Sequence, residues 1–249
     1  MSNSRMTSKR ILVTGSTAGL GKILAQTFAE QGAYVGINGR NRERVLQVVQ
    51  EHENFFDAYA DLTVPQEVME LAQFLKVEHG HLDGLILNAG GGKPDFAIPV
   101  PSEWKRVLDL NLFSAVNSIE YLAPLLKNGF ARVIFIGSIA GSPNVDAPSP
   151  YSVAKQALGA FARETAISLS PRNIPVYFLK LGNLIFGGST WEAKLEADRL
   201  GTERYIEERV PLKRFGTPSD VSEWCEFLLC CDSSFATGAM ITIDGGQTL

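Results

Sequence analysis

Apolar residues follow two rhythms along this chain. Short runs rich in Val, Ile, Leu and Phe recur, and between them lie longer stretches where apolar residues return every three or four positions. The short runs predict strands over 11–14, 34–38, 55–59, 84–87, 132–137, 175–180 and 239–243. The longer stretches predict helices over 20–31, 42–51, 66–78, 102–126, 149–169 and 219–230. Several strand runs, Val133-Ile134-Phe135-Ile136 among them, are apolar throughout, as expected when helices cover both faces of a parallel sheet. The alternation predicts an α/β fold, a doubly wound parallel sheet with right-handed crossovers. No Pro/Gly/Ser-rich linker and no internal repeat breaks it, so residues 1–249 read as one domain.

Two stretches leave the rhythm. Residues 91–101 are rich in Gly and Pro and read as a loop. Residues 187–214 look helical without an intervening strand, as an insertion beyond a strand end does when it forms a substrate lid. Residues 1–8 lack the apolar core of a signal peptide and read as a short disordered tail, which makes the cytoplasm the expected compartment.

Composition narrows the function classes. A net charge of −4, with basic residues spread along the chain, argues against a nucleic-acid partner. No apolar run reaches the roughly 18 to 20 residues of a membrane helix, so no membrane partner is expected. Cys225, Cys230 and Cys231 share one apolar segment without a nearby histidine, which reads as core packing and predicts no metal site. His52, His79 and His81 fall in polar helix ends or loops and read as solvated surface.

The candidate chemistry lies in two patterns. The first strand runs into Thr14-Gly15-Ser16-Thr17-Ala18-Gly19-Leu20-Gly21, a glycine-rich turn that opens a helix. Gly15 permits the tight turn, Gly19 lets backbone approach a pyrophosphate, and Gly21 allows close helix–strand packing. A helix N-terminus offers free N–H groups and a positive dipole end to phosphates. Further along, Tyr151 and Lys155 stand four apart on one helix side, where the cation would stabilise the phenolate and lower the tyrosine pKa.

The spacing Thr-Gly-x-x-x-Gly-x-Gly resembles the short-chain dehydrogenase/reductase family, in its compact branch of about 250 residues, over nearly the whole chain. The resemblance implies a single Rossmann-type domain of about seven strands with helices on both faces. It implies a cofactor loop of Gly15, Ser16, Thr17, Gly19, Leu20 and Gly21, an adenine contact at Asp61-Leu62, and a further cofactor motif at Asn88-Ala89-Gly90. Asn111, Ser138, Tyr151 and Lys155 resemble the family's catalytic tetrad in order and spacing. Tyr151 would exchange a proton with the substrate oxygen and Ser138 would polarise the carbonyl. Lys155 would tune Tyr151 and hold the nicotinamide ribose, and Asn111 would anchor a water feeding protons to Lys155. Segments 214–218 and 243–246 resemble 3-oxoacyl-carrier-protein reductases in particular. One position departs. Leu181 precedes Gly182 where the family has proline, and Phe186 stands near the usual threonine, which leaves carboxamide contacts to backbone around Ile185.

At the end of the second strand, Gly39 occupies the place of a ribose-binding acid and Arg40 follows. A guanidinium there pairs with a 2′-phosphate, so NADP(H) is favoured and NAD(H) stays open. The expected reaction is reversible hydride transfer between the nicotinamide and a small-molecule carbonyl or secondary alcohol, of 3-oxoacyl-reductase type. Alternatives are a reductase of keto-sugars or sugar nucleotides, a reductase of small xenobiotic or steroid-like ketones, and a non-catalytic NADP-binding regulator. Lys93, Asn144, Trp191 and Lys194 are the candidates for touching substrate in a pocket lined by 91–96, 139–150 and 187–214. The resemblance also implies a homo-oligomer, tetramer or dimer, that pairs the long helices and the last strands.

Overall fold

The computed structural model describes residues 5–91, 99–143 and 145–249. Seven strands form one parallel sheet: β1 (Arg10–Val13), β2 (Tyr34–Ile37), β3 (Phe55–Asp57), β4 (Gly84–Leu87), β5 (Arg132–Ser138), β6 (Val176–Leu181) and β7 (Met240–Ile243), in the order β3-β2-β1-β4-β5-β6-β7. The chain reverses direction across the sheet between β1 and β4, where Val13 pairs with both Ile37 and Ile86. In an open parallel sheet, the strand ends at such a switch frame a crevice.

Strand alternation sends successive side chains to opposite faces, and each face buries its own core. Ile11, Val13, Ile86, Ile134 and Ile136 pack with Leu24 and Phe28 of α1 (Gly19–Glu30), Val45 of α2 (Arg42–Val49), and Val221 and Leu228 of α9 (Pro218–Cys230). Leu12, Leu85, Leu87, Val133 and Phe135 pack with Leu71 and Leu75 of α3 (Pro65–Glu78) and Leu158 and Ala162 of α6 (Ser149–Leu169).

Three expectations need correction. The helix foreseen over 102–126 is α4 (Pro101–Leu108), a π-helical turn over Asp109–Phe113, and α5 (Ser114–Leu122) with a 3-10 turn after it. The wide turn lets the Asn111 amide reach the Val107 carbonyl (2.9 Å) and the Gly91 backbone instead of lying along the helix surface. The third strand stops at Asp57, because its carboxylate accepts the Tyr59 N–H at 2.8 Å and turns the chain. Residues 5–8 are no disordered tail: Met6 is fully buried in the α1 face of the core, and Ser8 N–H donates to the Gly32 carbonyl.

The insertion over 187–214 carries α7 (Thr190–Ala197), capped by the Ser189 hydroxyl, and α8 (Arg199–Arg209), capped by Asp198. No helix among the described residues is long and apolar enough to cross a membrane.

Candidate active site

The turn after β1 is organised by Asn38, a buried polar side chain at the end of β2. Its Oδ1 accepts the Gly15 N–H at 3.1 Å, and its Nδ2 donates to the carbonyls of Ala58 and Ala60. Its backbone exchanges hydrogen bonds with Ser16, whose hydroxyl also donates to Val13 O. Gly15 has φ +62°, and a Cβ there would lie 3.0 Å from Ala89 Cα, so both conformation and space require glycine. Thr14 Oγ1 accepts the N–H groups of Asn88 and Ala89 at 2.9 Å each, and Asn88 Nδ2 donates to Thr14 O and Gly15 O. The two segments flanking the switch point are therefore locked together.

No side chain caps the N-terminus of α1, and its first turn holds no acid. Its leading N–H groups and positive dipole end face the turn of Ser16, Thr17, Gly19, Leu20 and Gly21, a donor set that fits a dinucleotide's phosphates. Beyond β2, Arg40 is exposed. Asp61 holds Thr63 through one carboxylate oxygen (N–H 2.9 Å, hydroxyl 2.7 Å), and Leu62 is buried with its carbonyl bonded to Asn117.

The four candidate catalytic residues come from three elements and meet at the strand ends. Ser138 ends β5, Tyr151 and Lys155 lie on α6, and Asn111 sits in the π-helical turn. The Ser138 hydroxyl neighbours the Tyr151 phenol closely enough to act on its pKa, and Ser138 Oγ accepts the Ala140 N–H at 3.1 Å. Lys155 is buried, donates to Ile136 O at 3.1 Å, and holds Nζ 5.8 Å from the Tyr151 ring centroid. Fully buried Asn111 grips Gly91 from both sides, accepting its N–H at 2.9 Å and donating to its carbonyl at 2.8 Å. Gly90 lies between these groups. A Cβ there would meet Asn111 Oδ1 at 2.7 Å and Lys155 Nζ at 3.1 Å, which brings the second cofactor motif, the amide and the ammonium to one point.

Burial pushes the Lys155 ammonium down to about 8. Burial also raises the Tyr151 phenol above its usual value, and the hydrogen bond from Ser138 works against that rise. The expected lowering of Tyr151 by the lysine charge is not seen, and desolvation sets the direction of the shift. The phenol stays protonated through neutral pH and is a ready proton donor.

The model of a family described as enoyl-(acyl carrier protein) reductase matches residues 15–248. A curated relative, the 7alpha-hydroxysteroid dehydrogenase of Escherichia coli K12, is 31% identical over 98% of this chain and 96% of its own. The chain belongs to the short-chain dehydrogenase/reductase family. It is an oxidoreductase of the class acting between alcohol and carbonyl groups. Another relative, the 3-oxoacyl-(acyl-carrier-protein) reductase of Buchnera aphidicola, is 29% identical over 98% of each chain. Among solved structures, the NADP complex of Pseudomonas aeruginosa RhlG superposes with a TM-score of 0.89 at 30% identity, covering 100% of both chains.

Around this candidate site, Gly182 packs against Asp244, where a Cβ would lie 2.6 Å from Asp244 Cα, and Ile185 N–H donates to Gly216 O at 2.9 Å. The Phe186 ring approaches Gly19, joining the root of the insertion to the glycine turn. Trp191 stacks on Tyr205 and meets Phe215, and Lys194 Nζ stands 4.2 Å over Trp191, so both candidates pack within the insertion itself. Lys93 and Asn144 lie outside the described residues. Asn38 was not singled out from the sequence as a site residue. Its only signal was a polar residue ending an apolar run, which many strand ends show.

Proposed function

We propose that the chain is an NADP(H)-dependent ketoreductase that interconverts a carbonyl and a secondary alcohol on a 3-oxoacyl-type substrate. The observation that carries the reading is the meeting of Ser138, Tyr151, Lys155 and Asn111 beside the Asn88-Ala89-Gly90 segment, which the Thr14 hydroxyl ties to the glycine turn. A nicotinamide bound there supplies or accepts the hydride. Gly15 to Gly21, Asn88 to Gly90, Asp61, Leu62, Gly182 and Ile185 are the residues that would hold the dinucleotide.

In reduction, Tyr151 donates its proton to the substrate oxygen, and in oxidation it takes the proton back. Ser138 hydrogen-bonds the same oxygen and keeps the phenol aimed at it. Lys155, while protonated, stabilises the phenolate that the transfer leaves. Asn111 holds Gly91 and so fixes the Gly90-Gly91 backbone beside Lys155. Exposed Arg40 with Gly39 before it supports NADP(H) over NAD(H), because a guanidinium pairs with a 2′-phosphate. The NADP held by the RhlG relative supports the same preference. The reading includes a homo-oligomer in the cytoplasm, acting on a small molecule.

Steroid and sugar dehydrogenases are among the relatives at similar identity, so substrate class is what the experiment must decide. Oxidation of NADPH and NADH is followed with 3-oxoacyl thioesters, keto-sugars and ketosteroids. Preferred turnover of a 3-oxoacyl thioester with NADPH supports the proposal. Preference for another class, or for NADH, overturns that part of it.

A further inference from the structure

The insertion that carries α7 and α8 is thinly attached. No residue of α7 is buried, and α8 buries only Thr202 and Ile206. Segments with so little buried apolar surface open at low free-energy cost unless polar contacts hold them. One side chain from a different part of the chain supplies such a contact. Gln247 follows β7 in a turn set by Asp244, whose carboxylate accepts the Gly246 N–H, the Thr248 N–H and the Thr248 hydroxyl. Gln247 Oε1 accepts from Asn183 Nδ2 at 2.7 Å, and its Nε2 donates to the Tyr205 hydroxyl at 3.0 Å.

The two partners belong to different bodies. Asn183 follows β6 after Gly182, and its carbonyl accepts the Gly216 N–H at 2.9 Å. Tyr205 lies on α8 and stacks on Trp191 of α7, with ring centroids 5.1 Å apart and planes at 28°. The amide thus connects the strand ends at the candidate site to α8 and, through the Trp191–Tyr205 stack, to α7. The far end of the insertion is fixed separately, by Leu212 N–H donating to Gly245 O at 3.1 Å. Among the described residues, the side-chain hydrogen bond that ties α7 or α8 to a residue outside the insertion is the one between Tyr205 and Gln247.

We propose that Gln247 is a positioning residue whose amide latches the α7–α8 insertion to the strand ends and so sets how firmly the insertion closes over the substrate. The latch rests on geometry alone, and its effect on substrate rests on the oxidoreductase reading of the site.

The test is hydrogen exchange, followed by mass spectrometry, of the full chain and its variants. Gln247→Ala and Tyr205→Phe, the latter keeping the ring on Trp191, should each speed exchange across 190–209 roughly fivefold to tenfold, with the sheet and the melting temperature unchanged. The double variant should exchange no faster than Gln247→Ala, because both remove the same bond. Gln247→Glu should restore slow exchange, since its carboxylate accepts from both Asn183 Nδ2 and the Tyr205 hydroxyl. Unchanged exchange in Gln247→Ala, acceleration spread over the whole chain, or a Glu variant as loose as the Ala variant would each overturn the latch. With a turned-over substrate, KM should rise while kcat and the Kd for NADPH hold. A kcat that falls in step overturns the positioning role. Absence of turnover in the unaltered protein would count against the oxidoreductase reading, while the exchange data still decide the latch.

Discussion

Replacing Gly90 by alanine adds one carbon at the point where the proposed catalytic groups converge. The backbone there is not left-handed, so the cost comes from contact and not from conformation. The new Cβ would stand 2.7 Å from Asn111 Oδ1 and 3.1 Å from Lys155 Nζ. Asn111 cannot yield freely, because its amide makes three hydrogen bonds in a fully buried site. Swinging it aside leaves a buried donor or acceptor unpaired, which costs about 1–3 kcal/mol. In a chain of this size, that lowers the melting temperature by roughly 3–10 °C. Displacing the ammonium by a fraction of an ångström should reduce kcat by about a hundredfold. Thermal unfolding and turnover by the same preparation are the assay. Gly187→Ala is the control, since nothing lies within 4 Å of its added Cβ and its backbone is also ordinary. A Gly90→Ala protein that melts and turns over like the Gly187→Ala protein would refute the convergence of Asn111, Gly90 and Lys155.

Other outcomes follow from the same geometry. Lys155 loses its proton as pH rises through about 8, so the reductive kcat/KM should fall above that pH, whereas Lys155→Arg should show no such fall, whatever its absolute rate. A profile flat to well above pH 9 in the unaltered protein would contradict the role of the cation. Arg40→Asp should raise the KM for NADPH roughly tenfold to a hundredfold, the worth of a charge-assisted contact, and change that for NADH far less. Equal effects on the two would remove Arg40 from cofactor choice. Thr217 and Asp220 cap α9 reciprocally, so Thr217→Ala should cost about 1 kcal/mol, a melting point lower by roughly 2–4 °C, with turnover unchanged.

Strand and helix order was legible because the relevant contacts are local or two-sided. Val133 to Ile136 reads as a covered strand since helices bury both its faces, and the glycine turn, read from its spacing and its place after the first strand, opens an α1 N-terminus that no side chain caps. What escaped the sequence depends on distant partners. The π-helical turn at Asn111 is fixed by Gly91, twenty residues earlier. Met6 is buried because α1 and α9 meet over it, and Cys230 of α9 touches its sulfur at 3.4 Å. The phenol pKa was misjudged because spacing reveals the charge near Tyr151 but not how far both groups are desolvated. Trp191 looked available to substrate, yet Tyr205 and Phe215, in other elements, pack on its ring, with the exposed Lys194 lying over it.

The central claim is that Tyr151 transfers the proton while the dinucleotide site stands apart from it. The direct measurement compares Tyr151→Phe with the unaltered protein for NADPH Kd and for the rate of carbonyl reduction on the best substrate found. The account predicts a rate lower by roughly 10²–10⁴-fold with Kd unchanged. A rate within a few-fold of the unaltered protein would contradict it.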